Sequence, residues 1–387
     1  MTDGGGGEEG PEPERPPLEP VAPPLEPLAP PLEPVAPVEP IAPVAPRLPI
    51  PPLATARGLL GASFELLTGS NQDMRRASFY IGAIVLGTAG PAALASWAIQ
   101  VVTFGVGGDP FFEGSDTGAF GLAFLFALAF VGIIVAAVES RTLAAAVLGG
   151  AMAGRPVTTR QALARSRMTF WRAIVASIIV AVPIAIVQAV IGELLANLTG
   201  PSQEISVVTS TLVTAIVGAP FAYILAGVVL GDVDPFEGLR RSIQVFRARK
   251  MAAAIVAGFE TVTALLIVIG LEAGLDIILR VLSALGLGID SGPVGLAIVT
   301  MLIVAAVFAF GTLLFTVYAL TIAPQVVMFV GLTHATNGLD RVRPGGSNDP
   351  DHPTSRRNQF RWLTRPMLLG FILGGLGLGA VVAIYTA

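Results

Sequence analysis

The chain contains no cysteine, which excludes disulfides and thiolate metal sites. It has two histidines, His334 and His352, and one lysine, Lys250, against 22 arginines. Charged residues of all kinds make up 13%, where a soluble domain has about 25%. No G-x-x-x-x-G-K-[ST] or G-x-S-x-G sequence occurs, so nucleotide hydrolysis and hydrolase-elbow chemistry have no motif to rest on. No nucleophile stands beside a base, and a non-enzymatic protein is expected. Net charge is −4, so no basic field points to nucleic acid. The opening residues, Met1 to Glu9, are acidic and glycine-rich, without the basic start and apolar run of a signal peptide. Asp349, Asp351 and His352 share the turn N-D-P-D-H-P, but their spacing matches no ligand rule. Neither a metal nor a cofactor is expected.

What the chain has in excess is apolar surface. Apolar residues are 53% of it, too many for water to wet, so a bilayer is the natural solvent. Seven runs reach the ~20 residues that a ~30 Å hydrocarbon core requires. They are Ala77 to Phe104, Gly118 to Val138, Ala173 to Leu195, Ile205 to Leu230, Met251 to Leu271, Pro293 to Val330 and Pro366 to Ala387. The sixth would be about 57 Å long as one helix, so it must protrude or break, with Gly311 and Pro324 as break points.

Residues 1–54 read as a disordered proline-rich tail. Its core, residues 16–52, repeats L-E-P-V-A-P-P loosely, and proline at this density leaves polyproline II as the accessible conformation. Extended, it would reach roughly 115 Å. It serves as a semi-rigid spacer or, through P-x-x-P steps such as Pro20 to Pro23, as a docking peptide.

Arginine sorts the loops. Arg75 and Arg76 precede the first run, and Arg141 to Arg172 lie between the second and third. Arg240 to Lys250 lie between the fourth and fifth, and Arg341 to Arg365 between the sixth and seventh. The alternate loops carry Asp109, Glu113, Asp116, Glu204, Asp276 and Asp290, with Arg280 as the exception. Positive residues mark cytoplasmic loops, so a multi-pass cell-membrane protein is expected, N-terminus inside and C-terminus outside.

Three stretches align without gaps, starting at Thr55, Thr158 and Asp234. Each begins with a helix-capping residue, and Gln161 and Glu237 occupy capping-box positions. Leucine recurs at Leu60, Leu163 and Leu239, serine at Ser63, Ser166 and Ser242. In the third copy Phe236, Leu239, Ile243 and Phe246 form an apolar face, predicting an amphipathic interfacial helix that meets anionic headgroups. The expected fold is an all-α polytopic bundle of about seven spans. Residues 55–340 form a six-span domain of three units, each a surface helix plus a hairpin. Residues 341–365 form a cytoplasmic loop, and 366–387 an added C-terminal span. The segments Gly154 to Arg167 and Asp234 to Arg247, flanked by apolar runs, resemble the six-helix membrane domain beside some bacterial glycerophosphodiester phosphodiesterases and related uncharacterised families. The phosphodiesterase catalytic domain is missing, so the resemblance implies a membrane module without hydrolase activity.

Glu260 is the most unusual acid. Ten residues beyond Lys250, it lies about 15 Å deep, where an ionised carboxylate costs ~2.5 kcal/mol or more unless paired, protonated or wetted. Tyr223 lies at similar depth and is its expected hydrogen-bond donor. Glu139 and Arg141 are a second charged pair. If the second run ends near Val138 they are interfacial and snorkel. If it continues, so that the V-L-G at Val147 matches that at Val229, Arg141 lies level with Tyr223. Pro220 and Pro324 would bend their spans near that level. The leading expectation is a membrane scaffold or a module that senses or organises the bilayer. The alternative is a small-solute or ion-coupled transporter using Glu260. Apolar surroundings at Glu260 would favour the first, a polar cavity the second.

Overall fold

The computed structural model describes residues 56–99, 116–199, 203–284, 292–338, 341–345 and eight positions between 366 and 377. The proline-rich tail, the His352 turn and most of the seventh run lie outside these. Among the described residues six helices are long and apolar enough to cross a membrane, and there is no strand. The chain is a multi-pass membrane protein.

Helix α1 (Ala56–Gly69) leads into α2 (Asn71–Ile99), followed by α3 (Asp116–Met152) and α4 (Thr159–Thr199). Helix α5 (Gln203–Gly218) passes through a 3-10 turn at Ala219–Phe221 into α6 (Ile224–Gly231). Then come α7 (Pro235–Ala248), α8 (Lys250–Ala284) and α9 (Gly292–Asn337). Large side chains such as Phe120, Phe130, Ile186, Val190, Ile216, Leu266 and Met301 point outward from these helices. No soluble protein could leave that much apolar area in water, and lipid is its natural cover.

Helices α2, α3 and α9 pack most extensively on one another. Glycine lets them approach. A Cβ on Gly311 of α9 would lie 2.8 Å from the Gly82 Cα and 2.9 Å from the Val85 Cβ of α2. A Cβ on Gly132 of α3 would fall 2.1 Å from the Thr88 hydroxyl oxygen of α2. Without a hydrophobic drive between helices in lipid, such backbone proximity supplies the dispersion contacts that hold them.

Several expectations change here. The second run does not end at Val138, because α3 continues unbroken to Met152. Its last two turns are wholly buried from Thr142 to Gly150, so protein, not water, meets the helix beyond Arg141. Helix α9 does not break at Gly311 or Pro324; it is one helix of 46 residues. Of the two expected proline bends, the one at Pro220 forms, where the 3-10 turn separates α5 from α6.

The three aligned stretches are all helical, but they are not three separate surface helices. The first is α1 and the third is α7, whereas the second is the opening of α4 and runs on into its span. Thr158 and Gln161 form the expected reciprocal cap, with the Thr158 N–H donating to Gln161 Oε1 at 2.9 Å. At α7 the box does not close, since Glu237 pairs with Arg241 at 2.8 Å instead. The buried face is also turned from the one expected. Leu60, Leu163 and Leu239 are half-buried, while Leu59, Ala162 and Gly238 and the serines Ser63, Ser166 and Ser242 are buried. Phe236 is 71% exposed. The small face wins in α7 because Gly238 lets it approach α6; a Cβ there would already touch the Ile224 carbonyl oxygen at 3.4 Å.

Candidate functional site

Continuation of α3 past Val138 is what builds the site. It carries Arg141 inward as a helical residue, and the guanidinium Nη2 donates to Glu260 Oε1 of α8 at 2.8 Å. The second carboxylate oxygen accepts from the Gln325 amide of α9 at 3.1 Å. Arg141 also lies over the Tyr318 ring, 4.6 Å from its centroid, in cation–π contact. Arg141, Glu260 and Gln325 stand eleven, ten and nine residues from Met152, Lys250 and His334, the span ends on the arginine-rich side. At ~1.5 Å per residue, three helices therefore bring polar groups to one level about 14–17 Å from those ends.

The pair is not sealed. Both side chains keep about a third of their surface, at 32% and 28%. They line a cavity of about 710 Å³ bounded by α3, α4, α5, α6, α8 and α9. Most of its wall is alanine, valine, leucine and isoleucine, including Ala176, Val180 and Ala181 of α4 and Ala257 of α8. A second polar group stands elsewhere on the wall. The Gln188 amide of α4 donates to the hydroxyls of Ser210 and Thr214 on α5, at 3.1 and 2.6 Å. Cavities of this size that combine apolar walls with a few placed polar groups suit small-molecule binding.

Of the four residues singled out in the sequence, Arg141 and Glu260 meet and the other two lie elsewhere. Tyr223 is not the partner of Glu260. Its ring is buried in the core and its hydroxyl has no hydrogen-bond partner, while its backbone N–H donates to Ser242 Oγ at 3.2 Å. The non-helical turn before α6 redirects Tyr223, so equal depth does not become contact. Glu139 neither snorkels nor joins the cavity. It is wholly buried, with the Tyr80 hydroxyl and Arg167 acting on it electrostatically but no hydrogen bond of normal geometry to either carboxylate oxygen. Arg167 donates to the Tyr80 hydroxyl at 3.2 Å.

Sequence reasoning missed Gln325 and Tyr318. A lone amide in the run T-I-A-P-Q-V-V-M-F is a readable signal, since an unpaired amide is costly in lipid. It also missed a second charged cluster. Arg165, wholly buried, pairs with Asp232 at 3.2 Å and donates from Nε to the Val229 carbonyl at 2.6 Å. Arg172 and Arg343 reach the same carboxylate at 2.8 and 3.4 Å. Burial alone would raise the Asp232 pKa, but Arg165, Arg172 and Arg343 together hold it below the ordinary aspartate value. Residues 341–345, the start of the expected cytoplasmic loop, are pinned here. The Arg343 N–H donates to the Leu230 carbonyl at 2.8 Å, and Arg155 donates to the Val342 carbonyl.

Among the described residues no cluster of three histidine or acidic side chains is placed to hold a metal ion. Compared with known proteins, the chain matches no family model, no curated protein and no solved structure.

Proposed function

We propose that this protein binds a small solute within the membrane, as a carrier or solute-binding module, using the cavity at Arg141 and Glu260. One observation carries the reading: an ion pair at mid-span depth faces a 710 Å³ void instead of being packed away. A scaffold needs neither the charges nor the space. A charge held in lipid is costly, and such residues commonly mark a solute or ion path. Discontinuity of a helix beside the site, here the Pro220 turn between α5 and α6, is a further feature of intramembrane binding sites. The scaffold or bilayer-organising role expected from composition is the reading this displaces.

The wider architecture belongs to the same proposal. The arginine-rich ends of the spans face the cytoplasm, and with a seventh crossing the C-terminus emerges outside. The shared burial of Ser63, Ser166 and Ser242 supports descent of the three units from one repeat. The resemblance to the membrane domain of glycerophosphodiester phosphodiesterases supports a membrane module, and anionic lipid headgroups would meet its arginine-rich face.

The test is a thermal-shift screen of small polar and amphiphilic compounds on the detergent-solubilised protein, run beside Ala181→Phe. Ala181 lines the void and is itself exposed, so phenylalanine fills the space without crowding the core. Compounds that raise the melting temperature of the wild type should lose their effect on the variant. If no compound stabilises the wild type at millimolar concentration, the scaffold reading stands.

A further inference from the structure

Resting on that solute-binding reading, the charges of the cavity define a ligand class. Among the described residues that line it, Arg141 is the one cation and Glu260 the one anion. Each is already paired with the other at 2.8 Å, and the Gln325 amide and Tyr318 ring complete their surroundings.

A ligand that enters must compete with this pair. An anion that takes Arg141 leaves Glu260 with only the Gln325 amide. A cation that takes Glu260 leaves Arg141 with only a ring face. Either outcome strands a half-buried charge between largely apolar walls, and a stranded charge there costs more than a pair exchanged for another pair. A ligand carrying both signs avoids the penalty. Its anionic group accepts from the planar guanidinium fork while its ammonium donates to the carboxylate. One protein–protein ion pair becomes two protein–ligand pairs, and the net charge of the site stays zero. The aliphatic wall around Val180 and Ala257 then takes an apolar body.

We propose that the cavity is selective for zwitterions: a small molecule with an ammonium and an anionic group a few ångströms apart, joined to an apolar part. Free α-amino acids with apolar side chains and zwitterionic lipid headgroups share this chemistry.

A matched set of probes separates the possibilities. Phenylalanine carries both charges, 3-phenylpropanoate keeps only the carboxylate, and 2-phenylethylamine keeps only the ammonium. Short-chain phosphatidylethanolamine offers the lipid form. Binding to the purified full-length protein is read by calorimetry. A zwitterion should bind at least about tenfold tighter than either singly charged analogue, because a site built for two polar groups rejects a ligand lacking one. If phenylalanine does so the source is a free solute; if only phosphatidylethanolamine does so it is a lipid. Arg141→Gln and Glu260→Gln should each remove that preference. The double variant, whose two amides can still hydrogen-bond, guards against misfolding and should bind all three phenyl compounds alike. Equal or tighter binding of a singly charged analogue overturns zwitterion selectivity and leaves the solute-binding reading intact. If no probe of any charge class binds, zwitterion selectivity falls, and the solute-binding reading is decided by the thermal-shift screen alone.

Discussion

At the residue scale the protein turns on a pairing that neither partner announces alone. Glu260 stands out in the sequence because an acid amid apolar residues demands an explanation, whereas Arg141 looks like the edge of a basic loop. Their distance of 2.8 Å makes them one unit, and units are non-additive. Glu260→Leu and Arg141→Leu should each lower the melting temperature of the detergent-solubilised protein, while the double leucine variant costs less than their sum. A coupling of roughly 1–3 kcal/mol is expected, since the pair is neither fully exposed nor fully buried. Glu260→Gln should cost least, because the amide still accepts from Arg141. Additive effects of the two leucine substitutions would mean that the pair contributes nothing in solution. Glu139 offers the contrast. Wholly buried beside Tyr80 and Arg167, with neither oxygen in a hydrogen bond of normal geometry, it should lose less stability on Glu139→Gln than Glu260 does on Glu260→Leu, measured in the same way, because the neutral amide is cheaper to bury.

Elements meet through small residues and through polar groups that serve a neighbour's backbone. The break at Pro220 frees main-chain groups inside the protein, and α7 satisfies them from outside. Ser242 Oγ donates to the Pro220 carbonyl at 2.7 Å and accepts from the Tyr223 N–H. Ser242→Ala removes both bonds at once and should cost about 1–3 kcal/mol by leaving buried groups unsatisfied. Ser63→Ala should cost less, since its hydroxyl only returns to the Leu59 carbonyl of its own helix at 2.8 Å. Denaturation midpoints of the two variants decide this. At the α2–α9 crossing any side chain on Gly311 meets the backbone of Gly82 directly, so Gly311→Leu should destabilise by at least the ~1–3 kcal/mol typical of overpacking.

At the scale of the whole molecule, Asp232 ties three separated parts of the chain together, through Arg165 and Arg172 of α4 and through Arg343 beyond α9. Its arginines hold its pKa below the ordinary value, so folding gains from the ionised form. That gain is complete above the ordinary aspartate range of about 3.9 and is lost as pH falls through the lower folded value. The stability gap between wild type and Asp232→Asn should therefore be widest near neutral pH and close in acid. A gap that does not change with pH would mean the carboxylate charge is not what binds these parts. Topology is checked separately. Reporter fusions within residues 109–115 should read as extracytoplasmic and fusions at Gly154 as cytoplasmic, following the arginine distribution.

Composition and periodicity by themselves determined the class of the protein, the position of its long apolar helices and the sequence position of its unusual acid. These depend on how much apolar length a bilayer demands, and length is written locally. Helix existence at the three aligned stretches was legible for the same reason, since caps and apolar spacing act within a few residues. Which face each helix buries was not, because Gly238 and Ser242 win by fitting a neighbour, and fit is a property of two surfaces. The partner of Glu260 was equally hidden. Depth along a helix can be counted, and it placed Tyr223 and Arg141 at nearly the same level, but rotation about each helix axis decides contact. The Pro220 turn rotates Tyr223 into the core, while the unbroken α3 delivers Arg141 across 119 residues of chain to the carboxylate. Only the tertiary structure could make that choice, because it is settled by close packing of helices far apart in sequence.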